Sequence, residues 1–251
     1  MTKPLLQDRV ALITGAAAGI GEGTAQLFAE LGARVFILDR NAAGGKAVAE
    51  GIRAKGGEAF AFDTDVTRAE TIRPAVEDAL ARFGRIDVLI NNAGTYPRRR
   101  FLDMTEAEWD QMHDVHLKGL YHCCKLVVPR MVEQGSGKII NISSVTFFKG
   151  MANLSHYVAA KGGMIGFTRS LAREVGPHGV YVNCITPGAI LVESEKLVAT
   201  EEQMAAIVQQ QCLERRLLPV DIARVCVFLA SAMSDGMTGQ TLNVDGGLVM
   251  H

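Results

Sequence analysis

No apolar run in the 251 residues approaches the roughly 20 needed to span a bilayer. Met1 to Arg9 carries Lys3, Asp8 and Arg9 and has no apolar stretch of signal-peptide length, so a cytoplasmic protein with no membrane partner is expected. Charge of neither sign dominates: 26 Lys and Arg stand against 27 Asp and Glu, a net charge of -1. With a pI near 6.6 there is no global field to draw in nucleic acid. Cysteine is scarce. The five residues, Cys123, Cys124, Cys184, Cys212 and Cys226, are odd in number and lack any CxxC spacing, so reduced thiols are expected rather than disulfides or a structural zinc, and no metal site. Linkers, internal repeats and low-complexity tracts are also absent, so residues 1–251 read as one domain.

What is present is a 48% hydrophobic chain in which short Val/Ile/Leu-rich runs alternate with helical patterns. Strands are expected at about Val10–Thr14, Arg34–Leu38, Glu58–Phe62, Asp87–Ile90, Lys138–Ile142, Val180–Ile185 and Thr241–Val244. Helices are expected after the first strand, at about Asn41–Lys55, up to Phe83, at Glu106–Glu133, Ser155–Val175 and Val220–Ala230. Seven strands without polar alternation, joined through helices, predict an α/β fold: a doubly wound, Rossmann-type parallel sheet covered on both faces.

The first strand runs into Thr14-Gly15-Ala16-Ala17-Ala18-Gly19-Ile20-Gly21. A glycine turn leading into a helix lets backbone N–H groups and the positive helix end approach a pyrophosphate. Asp39 closes the second strand 24 residues after Gly15, where a carboxylate can accept from both ribose hydroxyls and repels a 2′-phosphate. NAD is therefore expected over NADP, although Arg40 follows directly. Capping of the next helix is the structural alternative for Asp39. Asp65 and Val66 follow the third strand and suit an adenine edge. Asn91-Asn92-Ala93-Gly94 ends the fourth, with Asn91, Ala93 and Gly94 as cofactor contacts and sheet bracing an equal alternative for Asn91.

Tyr157 and Lys161 are four apart on a predicted helix and share a face, and Ser144 lies just beyond the fifth strand. Carboxyl ends of parallel strands face the ligand crevice, so the three converge there. Removing an alcohol proton near pH 7 requires a phenol that titrates near 10 to be depressed about 3 units, roughly 4 kcal/mol. One positive charge at ~4.5 Å supplies about that much at an effective dielectric of ~20. Lys161 and an oxidised nicotinamide both carry such charge, and Ser144 would orient the substrate oxygen.

With these residues the chain resembles the short-chain dehydrogenase/reductase family almost end to end. The likeness includes the Thr14–Gly21 turn, Asp65, Asn91–Gly94, Ser144, Tyr157-Val158-Ala159-Ala160-Lys161, Asn183, Pro187-Gly188 and Asn243–Gly247. It implies Tyr157 as acid/base, Lys161 as the group that lowers its pKa and binds the nicotinamide ribose, Ser144 as substrate holder, and Pro187, Gly188 and the Ile190 backbone beside the carboxamide. Two positions depart from the family pattern. His116 stands where an Asn normally holds a relay water; it can donate and accept in its place, titrate, or be satisfied by a backbone carbonyl. Val192 stands where a Thr often binds the carboxamide.

The resemblance implies an NAD-dependent oxidoreductase acting on a small secondary alcohol or ketone, assembled as a homotetramer on two long helices. A narrower likeness runs to bacterial secondary and aromatic alcohol dehydrogenases. The alternatives are an NADPH-dependent 3-oxoacyl reductase and a non-catalytic NAD-binding sensor. A lid is expected at about residues 191–213, with Val192, Leu197, Val198, Met204, Ile207 and Val208 either lining an apolar pocket or, for most of them, packed on the body by helical spacing. Phe147, Phe148, Met151 and Leu154 would form the opposite wall. Arg98-Arg99-Arg100 lies near the expected mouth, either to attract an anionic substrate or as a solvated loop. Gly162 and Gly163, costly inside a helix, are expected to admit a cofactor or a neighbouring subunit.

Overall fold

A computed structural model describes residues 4–193 and 200–250. Strands β1 (Val10–Thr14), β2 (Arg34–Asp39), β3 (Glu58–Asp63), β4 (Val88–Asn91), β5 (Gly137–Ile142), β6 (Val180–Pro187) and β7 (Thr241–Val244) form one sheet in the order β3-β2-β1-β4-β5-β6-β7. Every pairing is parallel. The order reverses between β1 and β4, and the crevice at their carboxyl ends is where such sheets take ligands.

The helices between them are α1 (Gly19–Glu30), α2 (Ala42–Ala54), α3 (Ala69–Phe83), α4 (Glu106–His113), α5 (Gly119–Gln134), α6 (Thr146–Lys149), α7 (Ser155–Val175), α8 (Glu201–Val208) and α9 (Pro219–Ala230). Alternate strand residues serve opposite layers. Ala11, Ile13, Val35 and Ile37 pack against Phe28 of α1, Ile52 of α2 and Ile222 of α9. Val10, Leu12, Phe36 and Leu38 pack against Ile72 of α3, Leu120 and Val127 of α5 and Met164 of α7. Both faces are dry, which is why the strands carry no polar alternation.

One expected element is divided. The predicted helix Glu106–Glu133 is α4, a π-helical segment Asp114–Lys118, and α5. A capping box between Thr105 and Glu108 starts α4. The wider π turn inserts an extra residue, which a 3.6-residue periodicity does not reveal, and it carries His116 into the interior. Strand β6 runs two residues beyond its expected end, so Pro187 pairs with Val244 at the rim. Among the described residues no helix is long and apolar enough to cross a membrane.

Candidate active site

The glycine turn is built as its sequence requires. Gly15 and Gly19 sit at φ of 64° and 59°, a region costly for residues with a Cβ. Gly21 lies in α1 with no room for a side chain, since a Cβ would stand 2.2 Å from the Gly15 carbonyl oxygen. It closes the turn on itself, and its Cα is not among the atoms that line the cleft. Ala18 begins α1 without any side-chain cap, so the first-turn N–H groups stay open to an anion.

The turn is clamped from β4. Asn92 Nδ2 donates to the carbonyls of Thr14 and Gly15 at 3.0 Å each, and Thr14 Oγ1 accepts from the N–H groups of Asn92 and Ala93. Of the two readings of Asn91, cofactor contact or sheet brace, its hydrogen bonds support the brace. Asn91 is buried within β4 and points into the α5 layer, donating to Asn141 Oδ1 at 2.9 Å and Cys124 Sγ at 3.6 Å. Strand parity makes the choice, because successive side chains take opposite faces. Asn91 braces the sheet and Asn92 lines the cleft.

A cleft of about 330 Å³ opens over the switch point, lined by Gly15, Gly19, Ile20, Asp39, Asp65, Val66, Ala93 and Gly94. Asp39 stands at its edge with Oδ2 accepting from Ala17 N–H at 2.9 Å and Oδ1 from Asn41 N–H at 2.8 Å. It does not cap α2; Asn41 does, accepting from Gly44 N–H. Asp65 Oδ1 accepts from the N–H and hydroxyl of Thr67. Burial pushes that carboxyl up, but the Thr67 hydrogen bonds and the charges of Arg40 and Arg68 leave it below its ordinary value. The uncapped helix start, the glycine floor and the carboxylate ending β2 fit a dinucleotide.

A second cavity of about 270 Å³ adjoins the first through Ile20, Asn92, Gly94 and Tyr96. It is lined by Ser144, Tyr157, Lys161 and His116 together with Pro187, Gly188 and Ile190. The catalytic candidates therefore converge as expected. Lys161 is buried, with Nζ donating to the Ile142 carbonyl at 2.7 Å, while Ser143 Oγ donates to the Lys161 carbonyl at 2.7 Å. These bonds pin α7 to the end of β5. Burial pushes the Lys161 ammonium down to about 8. Its nitrogen lies 5.5 Å from the Tyr157 ring centre.

Tyr157 departs from the expected electrostatics. Burial pushes its phenol up to about 12; a hydrogen bond with Ser144 opposes this and nearby Tyr96 adds to it. Desolvation is thus the dominant influence on the phenol and no small correction to the Lys161 charge. Ser144 Oγ accepts from Thr146 N–H and Oγ1, which leaves its own proton for an oxygen in the cavity.

His116 packs edge-on to Tyr157, ring centres 5.4 Å apart at 85°. Its Nε2 lies 2.7 Å from the Thr95 carbonyl, so that nitrogen carries the proton. The expected carbonyl partner is present. Nδ1 is then a buried acceptor with no hydrogen-bond partner among the described residues. Burial first, then the Lys161 charge, hold the ring well below the usual imidazole value, so it is neutral near pH 7 and does not impose the pH dependence a titrating His would. Gly94 makes room for it: a Cβ there would stand 2.6 Å from His116 Cε1.

Other expectations resolve in both directions. Val192, Met204, Ile207, Met151 and Leu154 line the second cavity. Val208 does not; Leu197 and Val198 lie outside the described residues. Phe147 and Phe148 pack edge-to-face at 5.0 Å and leave the cavity wall to others. Gly162 and Gly163 serve their own chain: a Cβ would meet Phe147 at 2.6 Å in the first and Leu117 at 3.0 Å in the second. Tyr96, which opens the run expected near the site mouth, lines this cavity with its ring 6.3 Å from that of Tyr157.

Comparison with known proteins agrees with this geometry. A family model described as enoyl-(acyl carrier protein) reductase matches residues 15–249. A probable galactose dehydrogenase of Rhizobium meliloti is 40% identical over 98% of this chain and 96% of its own length. A 3-oxoacyl-[acyl-carrier-protein] reductase of Staphylococcus epidermidis is 38% identical over 97% of this chain and 100% of its own. A 7 alpha-hydroxysteroid dehydrogenase solved with NADH and 7-oxo glycochenodeoxycholic acid superposes with a TM-score of 0.94 at 34% identity, covering 99% of this chain and 97% of that one. Shared sequence over nearly the whole length, a shared fold and the converging Ser144, Tyr157 and Lys161 lead to one conclusion: the chain belongs to the short-chain dehydrogenase/reductase family of oxidoreductases.

Proposed function

We propose that this enzyme transfers a hydride between NAD and a secondary alcohol or ketone, with Tyr157 as the acid/base. The convergence of Ser144, Tyr157 and Lys161 at the carboxyl edge of β5, beside the glycine-turn cleft, carries the reading. A bound dinucleotide would supply or take up the hydride. Gly15, Gly19 and the start of α1 would hold its pyrophosphate, Asp39 a ribose, Asp65 and Val66 the adenine side, and Pro187, Gly188 and Ile190 the nicotinamide side.

The chain's own residues handle the proton. In reduction, Tyr157 Oη gives its proton to the carbonyl oxygen while Ser144 donates a hydrogen bond to that same oxygen. In oxidation, Tyr157 takes the proton back. Lys161, held by the Ile142 carbonyl, keeps a positive charge beside the phenol and favours its anion. His116, neutral and edge-on, fixes the position of the Tyr157 ring.

Asp39 supports NAD over NADP, since its carboxylate would face a 2′-phosphate. Arg40 lines the same cleft and supports the NADP-linked 3-oxoacyl reductase as the second reading. The ratio of kcat/KM with NAD to that with NADP separates them. We expect NAD to be preferred and Asp39→Ala to lower that preference about tenfold, or roughly 1.4 kcal/mol. NAD affinity should weaken too, because the variant frees the Ala17 N–H from its acceptor. An unaltered ratio would remove Asp39 from selectivity.

Helix α8 and the residues around it act as a lid, with Met204 and Ile207 over the substrate. A homotetramer on α5 and α7 is supported by the exposed apolar side chain of Tyr121 on α5. It is further supported by Gly166 of α7, where an added Cβ would meet nothing within 4 Å. Five free thiols, four of them buried, suit a reducing cytoplasm.

A further inference from the structure

The substrate cavity has a one-sided charge. Of the charged side chains that line it among the described residues, Arg98, Lys149 and Lys161, all are cations. Lys161 belongs to the proton machinery; Arg98 and Lys149 stand apart from it and are exposed to solvent. The three consecutive arginines have divided their tasks. Arg99 pairs with Glu108, and Arg100 with Asp103 at 3.7 Å. Arg98 meets no carboxylate among the described residues; its Nη2 rests 3.9 Å from Met151 Sδ, on the cavity wall. Lys149 ends α6 with Nζ donating to the neutral Gln210 Oε1 at 2.9 Å. Neither cation has a carboxylate partner among the described residues.

Both line the cavity that holds Ser144 and Tyr157. Arg98 follows Tyr96 by two residues, a span of at most about 7 Å, and the Tyr96 ring is 6.3 Å from Tyr157. Lys149 ends the short helix that starts two residues after Ser144. The same cavity is lined by the apolar side chains of Met151, Leu154, Met204, Ile207 and Leu248. A cleft lined by one sign of charge with low-dielectric walls focuses its field on the ligand. An Arg fork matches a carboxylate in two parallel hydrogen bonds, which a chloride or water cannot reproduce.

We propose that the substrate is a hydroxy acid and its product the matching oxo acid: a secondary alcohol and a carboxylate joined by a short apolar segment. The carboxylate meets Arg98 and Lys149 at the rim, and the hydroxyl reaches Ser144 and Tyr157. This rests on the oxidoreductase reading above. In the reducing direction the carbonyl carbon gains the hydride of reduced nicotinamide and its oxygen gains the Tyr157 proton, while the carboxylate is unaltered.

The test uses full-length enzyme, NADH and methyl-ketone acids of five to eight carbons, each paired with its methyl ester. The readout is the acid-to-ester ratio of kcat/KM. We expect the wild-type ratio to exceed about ten for at least one chain length, a preference of more than 1.4 kcal/mol, and to fall as salt is added. In Arg98→Gln with Lys149→Gln the ratio should collapse to about one. Because both are surface changes, folding is checked by NADH binding in the same preparation. A wild-type ratio near one, or a ratio that survives the double substitution, overturns the proposal. Turnover of neutral ketones without any of acids also overturns it and leaves the oxidoreductase reading standing. NADH binding with no turnover of any ketone or alcohol defeats both.

Discussion

Tyr157→Phe lowers turnover at least a hundredfold while the Kd for NADH stays within about twofold. The magnitude follows from what one positioned acid or base contributes, about 10²–10⁴ in rate. The substitution removes only the hydroxyl. The ring keeps its edge-on contact with His116 and its place near Tyr96, so the cavity keeps its shape. Steady-state kinetics alongside fluorescence titration of NADH checks both halves. The two directions need not suffer alike. A phenol at about 12 is ready to donate a proton, whereas acting as a base at pH 7 needs about 5 units of depression, roughly 7 kcal/mol. The value of about 12 already has Lys161 beside the phenol, so a bound oxidised nicotinamide would supply further charge for oxidation that reduction does not need.

Lys161→Met abolishes activity and stabilises the fold. An ammonium held down to about 8 from 10.5 is one that the folded protein resists charging. The 2.5-unit difference corresponds to about 3 kcal/mol at pH 7. Losing the bond to the Ile142 carbonyl costs about 1 of those. An unbranched Met of similar length fills the space, leaving a net gain of about 2 kcal/mol and a Tm higher by roughly 4–8 °C for a chain of this size. The sign is fixed by proton counting. Below pH 8 both folded and unfolded chains hold the proton and the penalty is fully present. Between about 8 and 10.5 the unfolded chain holds more protons, so wild-type stability rises with pH and the variant's advantage shrinks. Thermal melts at pH 7 and pH 10, with turnover measured beside them, test this. A variant that melts lower at pH 7 would show that Lys161 supports the fold more than it strains it.

The sheet was legible because its signal is local. Apolar runs bounded by Gly, Asn and Asp mark strands whether or not their partners are known, and Val10–Thr14, Thr241–Val244 and helix Ser155–Val175 stand where they were read. Tyr157 and Lys161 share a face by helix geometry alone, and strand ends in a parallel sheet face one crevice. What escaped depends on long-range packing. The π turn at Asp114–Lys118 is one residue of slack in a regular pattern. The choice between Asn91 and Asn92 turns on strand parity at a strand's last residue, where boundaries are least certain. Gly162 and Gly163 meet Phe147 and Leu117, side chains on other elements, so their purpose is invisible to spacing. The pKa of Tyr157 depends on how much water its neighbours exclude, which no pair of residues announces.

One phenol, Tyr157, is proposed to carry the proton in both directions. The pH dependence of kcat/KM, measured for ketone reduction and alcohol oxidation with wild-type enzyme and Tyr157→Phe, addresses it directly. Oxidation should rise with pH as the phenol gives up its proton. Reduction should fall over the same range, and both limbs should be missing from the residual activity of the variant. Limbs that persist unaltered in Tyr157→Phe, or two directions that respond to pH in the same sense, would contradict it.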